Sequence, residues 1–195
     1  MRRLVALALF AALPAHAATV GAPAPQFALE SVSAGTVKLS QYRGKVVVLE
    51  WVNPECPYVR KHYGSANMQR LQKDTTAKGV IWISINSTRA GHAEYKKPAE
   101  MVAWMKQMKA APSATLLDPQ GEAGRAYGAR TTPHMYIVDP KGVLVYAGAI
   151  DDKRSTDPED VKTARNFVRA ALDELLAGKS VTSASTSPYG CSVKY

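Results

Sequence analysis

The chain has 195 residues, a formal net charge of +9 and only two cysteines, Cys56 and Cys191. That length gives a single domain room for a substantial core, and two distant cysteines are too few for a disulfide scaffold. The lysines and arginines are scattered without aromatic interleaving, which argues against a nucleic-acid face and for a solvated basic surface.

Residues 1–17 have the three parts of a cleavable secretory leader. Arg2 and Arg3 are the basic start, Leu4 to Pro14 the apolar centre, and Ala15-His16-Ala17 the processing site. The apolar run falls short of the about 20 residues that span a bilayer, and no later stretch is longer, so stable membrane insertion is not expected. Cleavage after Ala17 removes two positive charges and sends the chain to an oxidising compartment, the periplasm, where a disulfide can persist. The expected organisation is a leader at 1–17, one α/β domain at 18–181 and a tail at 182–195 that carries Cys191.

Phe27-Ala28-Leu29 and Val37-Lys38-Leu39 flank a Ser/Gly turn and predict a short hairpin. Lys45 to Trp51 is a β-branched run suited to a strand buried on both faces. Cys56 to Lys78 predicts one helix with Val59, Tyr63, Ala66 and Met68 or Leu71 on its apolar side, followed by a strand at Val80 to Ile85. Lys97 to Ala110 predicts a helix whose Met101, Met105 and Met108 stripe is core packing. A strand at Ala114 to Leu117 and a helix at Glu122 to Tyr127 follow. Strands Met135 to Val138 and Val143 to Tyr146 are joined by the turn Asp139-Pro140-Lys141-Gly142. Pro158 to Ala177 has the strongest helical period, with Asp157 as cap, Val161, Ala164, Val168, Ala171, Leu172 and Leu175 as buried face, and Gly178 as terminator. This order implies a central mixed sheet with helices on both faces.

The residue with a chemical signature is Cys56. It follows a buried strand and opens a helix, with Pro57 at the first helical position. The free backbone N–H groups and the dipole of a helix N-terminus favour a thiolate, the nucleophilic form.

The segment Val48 to Arg60, with Pro54-Glu55-Cys56-Pro57-Tyr58-Val59 at its centre, resembles the active-site segment of the thioredoxin-like superfamily. From Gly21 to about Ile150 the chain is similar to its redoxin, or AhpC/TSA, branch. The resemblance implies a thioredoxin-like fold and thiol–disulfide chemistry with Cys56 as attacking cysteine. It places Glu50 at the position of a buried acid that relays protons to the cysteines. It matches Thr131-Thr132-Pro133 to a cis-proline loop facing the cysteine, which makes Thr132, Pro133 and Pro57 the substrate-contacting residues. Thr132 would there pair with an extended substrate as an added strand. The closing Tyr189-Gly190-Cys191-Ser192-Val193-Lys194-Tyr195 resembles the tail of small secreted bacterial members of the branch.

The departures shape the mechanism. Val59 stands where the second cysteine of a CxxC pair belongs, so Cys56 has no local partner and Cys191 is the remaining one. The reading that follows is a thiol–disulfide oxidoreductase in which Cys191 resolves the Cys56 intermediate from a mobile tail. A Cys56–Cys191 bridge would close a loop of roughly 135 residues, a restriction of the unfolded chain on the order of 3–5 kcal/mol, and Gly190 would ease the close approach. A thiol peroxidase with antioxidant activity is one rival, although Leu49 and Asn53 replace the proline and threonine of the peroxiredoxin signature. A binding module with a structural bridge is the other. His62 and His134 could stabilise the thiolate but read more simply as surface histidines. Arg60 fills the second position of a copper-binding CxxxC, no other metal spacing is present, and no nucleotide or flavin fingerprint occurs. The expected partners are protein or small-molecule disulfides and thiols and a periplasmic reductant, with no cofactor.

Overall fold

The computed structural model describes residues 18–33 and 35–195. The expected leader, 1–17, lies outside the described residues. No helix among the described residues is long and apolar enough to cross a membrane.

The elements in chain order are β1 (Ala28–Ser31), β2 (Thr36–Lys38), β3 (Val47–Trp51), α1 (Pro57–Gly64), α2 (Asn67–Thr76), β4 (Ile81–Asn86), α3 (Pro98–Gln107), β5 (Ala114–Leu117), α4 (Glu122–Tyr127), β6 (Thr131–Thr132), β7 (His134–Val138), β8 (Leu144–Gly148), α5 (Phe167–Leu176) and β9 (Cys191–Ser192). Seven strands form one mixed sheet in the order β2-β1-β5-β4-β3-β7-β8, and β6 pairs with β9 in a separate two-stranded sheet. β3 runs parallel to β4 and antiparallel to β7, and both ladders cover its whole length, from Val47 to Trp51.

The alternation of side chains along β3 sorts the core into two layers. Val47, Leu49 and Trp51 join Ile83, Ile85, Tyr127 and Tyr136 on one face. Val48 and Val52 join Cys56, Val59, Tyr63, Leu71, Met101 and Leu172 on the other. Helices α1, α2, α3 and α5 therefore cover one face and α4 the other, as the sequence predicts. Fully burying an aliphatic or aromatic side chain contributes about 1.5–3 kcal/mol, so β3 is anchored from both sides.

Three elements differ from the sequence expectation. The helix expected from Cys56 to Lys78 is two helices, broken where Ala66 takes a left-handed conformation at φ 57° after the Gly64-Ser65 pair. The helix expected from Pro158 to Ala177 is also divided, into a 3₁₀ turn at Pro158–Lys162 and α5. Tertiary contacts break it: the Arg165 N–H donates to Asp152, the Phe167 N–H donates to the Ile150 carbonyl, and Asn166 caps α5 by accepting from the Arg169 N–H. Gly178 does end α5, at φ 72°, where its N–H and that of Lys179 donate to Leu175 and Glu174.

The third difference concerns the tail. Expected as a mobile polar segment, it is laid against the domain. The Ala147 N–H donates to Ala184, the Thr186 N–H to Ala147, the Val193 N–H to Arg130 and the Arg89 N–H to Lys194.

Candidate active site

Cys56 sits at the N-cap of α1 with Pro57 at the first helical position, and its carbonyl accepts from the Arg60 N–H. The loop before it is held by Asn53, whose side-chain oxygen accepts from the Glu55 N–H and whose carbonyl accepts from the Cys56 N–H. Asn53 also donates from Nδ2 to Glu94 at 2.6 Å, so both ends of its amide are engaged. The Cys56 side chain is buried, and its Sγ donates to the Thr132 carbonyl at 3.0 Å.

Thr132 belongs to β6, and the Thr132–Pro133 peptide is cis. Opposite Thr132 stands Cys191, while Thr131 faces Ser192. The half-buried Cys191 thiol is pushed up to about 12 by desolvation first, then by its hydrogen bond and charge interaction with Cys56. The two sulfurs, 135 positions apart in the chain, thus meet at the end of α1. Both are free thiols, so the bridge expected between them is not formed here. Gly190 lies at φ 137°, and a Cβ added to it would come within 2.0 Å of the Thr132 carbonyl oxygen. Only glycine fits where the tail crosses so close to the turn.

Glu50 projects from β3 between Val48 and Val52 and is fully buried. It accepts from Tyr63 Oη at 2.9 Å, Trp82 Nε1 at 2.8 Å, Ser84 Oγ at 3.0 Å and, more weakly, Gln72 Nε2 at 3.3 Å. Desolvation raises its carboxyl above 4.5, against the lowering effect of these donors. Among the described residues its hydrogen bonds run to these four groups and to neither thiol. Glu50 shares a core layer with Cys56 through Tyr63, which lies two turns further along α1.

His134 does not serve the cysteine. It projects from β7 on the same side as Tyr136, in the core layer opposite Cys56, and its Nδ1 is engaged by the Arg130 N–H and the Tyr136 hydroxyl. Burial holds its imidazole neutral, down at about 3. His62 is likewise held at about 3 by burial and by neighbouring Lys61. Both histidines are thus buried in the packed layers rather than at the surface as expected, and neither can supply a cation to a thiolate at neutral pH.

His62 nevertheless has a structural task that the sequence concealed. Its Nδ1 accepts from Asn67 Nδ2 at 3.0 Å, and its Nε2 lies 3.1 Å from the Tyr189 hydroxyl. That hydroxyl donates in a short hydrogen bond to Asp151 Oδ1. The chain of donors therefore places the His62 proton on Nε2. His62 Nε2 and Asp151 Oδ2 are 3.9 Å apart, but with the imidazole neutral they form no ion pair. The Lys153 N–H also donates to Asp151 Oδ1, while Lys61 stands 5.8 Å from the Tyr189 ring centre and the Tyr58 ring packs edge-on against it at 5.7 Å. Tyr189, two residues before Cys191, is thus locked in a buried polar pocket at one end of the tail. At the other end the Tyr195 hydroxyl donates to the Ala129 carbonyl at 2.7 Å, and its ring lies over Gly121 and Gly124 beside Arg125. The aromatics flanking Cys191 were the available signal for this strap; Asp151, far off in sequence, carried none.

A cysteine capping the helix that follows a central strand, opposed by a cis-proline turn on a sheet of this order, defines a thioredoxin-like protein. Residues 20–147 match the AhpC/TSA family model, which is most of the described chain, and the protein belongs to that family. An uncharacterised conserved protein from Geobacillus kaustophilus is 31% identical over 91% of this chain and 92% of its own, with a TM-score of 0.79. A hypothetical protein from Sinorhizobium meliloti 1021 is 24% identical over 92% and 96%, with a TM-score of 0.77. The "putative Thiol:disulfide interchange protein DsbE" from Chlorobium tepidum is 27% identical over 80% and 99%, with a TM-score of 0.59.

Proposed function

We propose that the protein is a thiol–disulfide oxidoreductase in which Cys56 attacks and Cys191 resolves. The observation that carries this reading is the pairing of β9 with β6, which sets Cys191 opposite Thr132 while Thr132 accepts the Cys56 thiol. The likeness to a thiol:disulfide interchange protein supports it. The Cys56 thiolate attacks one sulfur of a substrate disulfide, forming a mixed disulfide and releasing the other sulfur as a thiolate. The Cys191 thiolate then attacks Cys56 Sγ, the Cys56–Cys191 bond forms, and the second substrate sulfur leaves. The substrate gains two electrons and the protein loses two, which a periplasmic dithiol restores; protein and small-molecule disulfides both fit.

Thr132, Pro133 and Pro57 form the surface around the reacting sulfur. Glu50 is assigned the proton that Cys56 loses and regains, although its hydrogen bonds run to Tyr63, Trp82, Ser84 and Gln72 and not to the thiol. The engagement of both ends of the Asn53 amide weighs against a peroxide site there. Residues 1–17 act as a secretory leader in this reading, with the periplasm as destination.

The test is non-reducing peptide mapping joined to a glutathione redox titration. A Cys56–Cys191 peptide with a potential above about −300 mV is expected of a working pair. Free thiols under air, or a dimer linked through Cys56, would refute the resolving role. Hydrogen peroxide consumption by the reduced protein would move the assignment to a peroxidase.

A further inference from the structure

Cys56 is 1% exposed, and Tyr189 and Cys191 of the protein's own tail pack into the same cluster around it. Strand β6 is two residues long and, within its sheet, pairs with β9 alone. If β9 lifted, the backbone groups of Thr131 and Thr132 would form an open strand edge beside the Cys56 sulfur, and such an edge pairs readily with another extended chain. The fit of β9 to this edge is also incomplete: Thr132 Oγ1 is buried and, among the described residues, has no hydrogen-bond partner. A strand that supplied one would gain what the tail forgoes.

Resting on the oxidoreductase reading of Cys56, we propose that β9 is the built-in occupant of the substrate-binding edge, so that tail and substrate strand exclude one another. The ligand that the edge fits is an extended polypeptide segment carrying a cysteine with glycine immediately before it. The glycine requirement follows from Gly190. In the register of β9, a Cβ at this position meets the Thr132 oxygen at 2.0 Å and the Thr132 carbonyl carbon at 2.7 Å. Both are backbone atoms that cannot swing aside, and the φ of 137° is itself unfavourable for a side chain. The catalytic cycle then alternates two strands on one edge. The substrate segment docks while the tail is away, and its disulfide yields one sulfur to Cys56. When β9 returns, the Cys191 thiolate bonds to Cys56 Sγ, and the substrate sulfur leaves as a thiolate together with its displaced strand.

Two variants and two probes test this. Cys191→Ser leaves Cys56 as the one thiol, and Cys191→Ser/Gly190→Val adds a side chain that expels β9. Iodoacetamide should alkylate Cys56 in the double variant about tenfold faster or more, since reaction scales with the fraction of protein whose site is open. The second probe is a pair of ten-residue peptides, one with Gly-Cys and one with Val-Cys at the centre, each cysteine carrying a thionitrobenzoate leaving group. Attack by Cys56 forms the Cys56–peptide disulfide and releases coloured thionitrobenzoate. After normalisation to each peptide's rate with glutathione, Cys191→Ser should prefer the Gly-Cys peptide by about tenfold, the discrimination that about 1.4 kcal/mol of strand strain confers. Equal iodoacetamide rates in the two folded variants would overturn the gating, and equal peptide rates would overturn the recognition. Should Gly190→Val fail to fold, the peptide pair decides, because it is read on a protein with an unaltered Gly190. Neither readout needs turnover: variants that behave as expected beside a wild type inactive on disulfides would overturn the oxidoreductase reading and leave the edge standing.

Discussion

The two cysteines meet across one turn but are held there by opposite means. Cys56 inherits its position from regular structure. β3 is hydrogen-bonded along both edges and packed on both faces by side chains contributing about 1.5–3 kcal/mol each, and α1 starts at the cysteine itself. Cys191 lies on a two-residue strand, and what keeps it there is a phenol in a polar pocket, a glycine crossing and a second phenol near Ala129. Net contributions of such hydrogen bonds are about 0.5–1.5 kcal/mol each, more where a carboxylate accepts. The nucleophile is therefore built into the fold and its partner is fastened on. Changes around Cys191 should alter chemistry while leaving the domain folded, whereas changes beneath Cys56 should reach both.

The largest contrast is between the cysteines themselves. Cys56→Ser should abolish disulfide turnover, while Cys191→Ser should still form a mixed disulfide with substrate and accumulate it, a species visible by mass under non-reducing conditions. Equal loss of both steps in the two variants would break the division of labour.

Tyr189→Phe should come next. It strips the hydroxyl that Asp151 and His62 share and leaves the buried His62 Nε2–H without its acceptor, a cost of about 1–3 kcal/mol. Because the tail bears that cost, Cys191 should alkylate faster, and the Cys56–Cys191 potential should become less negative by about 30 mV for each 1.4 kcal/mol of docking lost. An unchanged potential would show that the Tyr189 pocket does not position Cys191.

Glu50→Gln probes the ground beneath Cys56 through pH. Burial raises the folded carboxyl above 4.5, so the folded protein holds this proton more tightly than the unfolded chain. The stability gained this way is complete below about 4.5 and declines as pH rises towards the folded value. Glu50→Gln removes the decline, so the urea midpoint of the variant relative to wild type should improve between about pH 4 and pH 8. A pH-independent difference would show that the Glu50 carboxyl binds its proton equally well in the folded and unfolded chain.

The smallest effect is expected at the far anchor. In Gly124→Ala the new Cβ lies 2.4 Å from the Tyr195 hydroxyl, and the ring can swing out at the cost of one hydrogen bond, about 0.5–1.5 kcal/mol. Cys191 reactivity should rise less than in Tyr189→Phe, while thermal stability stays level or improves because alanine favours α4. A fall in stability larger than the rise in reactivity would mean that the tail supports the domain as a whole.

The sequence discloses these two regions unequally, for the same physical reason. Strand β3, the cap at Cys56 and the Gly178 stop depend on local residue types, and local chemistry is legible in one dimension; the cis turn at Thr131-Thr132-Pro133 was legible only through the family resemblance. The division of the last helix was not legible, because the period from Val161 to Leu175 continues through Asn166, while the contacts that break it come from Ile150 and Asp152. The Gly64-Ser65 pair is a local signal of the α1–α2 break, but the apolar spacing from Val59 to Leu71 runs on across it. The tail was read as mobile because its composition is polar. Its anchors are side chains that find distant partners, and of these His62 and Asp151 become meaningful only once the fold has brought them beside Tyr189.

The two-residue ladder between β6 and β9 also bears on how the protein opens. A ladder so short belongs to the low end of the range of local unfolding free energies, far below that of the central strands. The Val193 amide, bonded to Arg130, should exchange its hydrogen through a small opening of the tail that denaturant hardly accelerates. Joining Cys56 to Cys191 would remove that private route and oblige the same amide to wait for a larger opening of the domain. The oxidised and reduced proteins would then differ less in shape than in which of their parts can open alone.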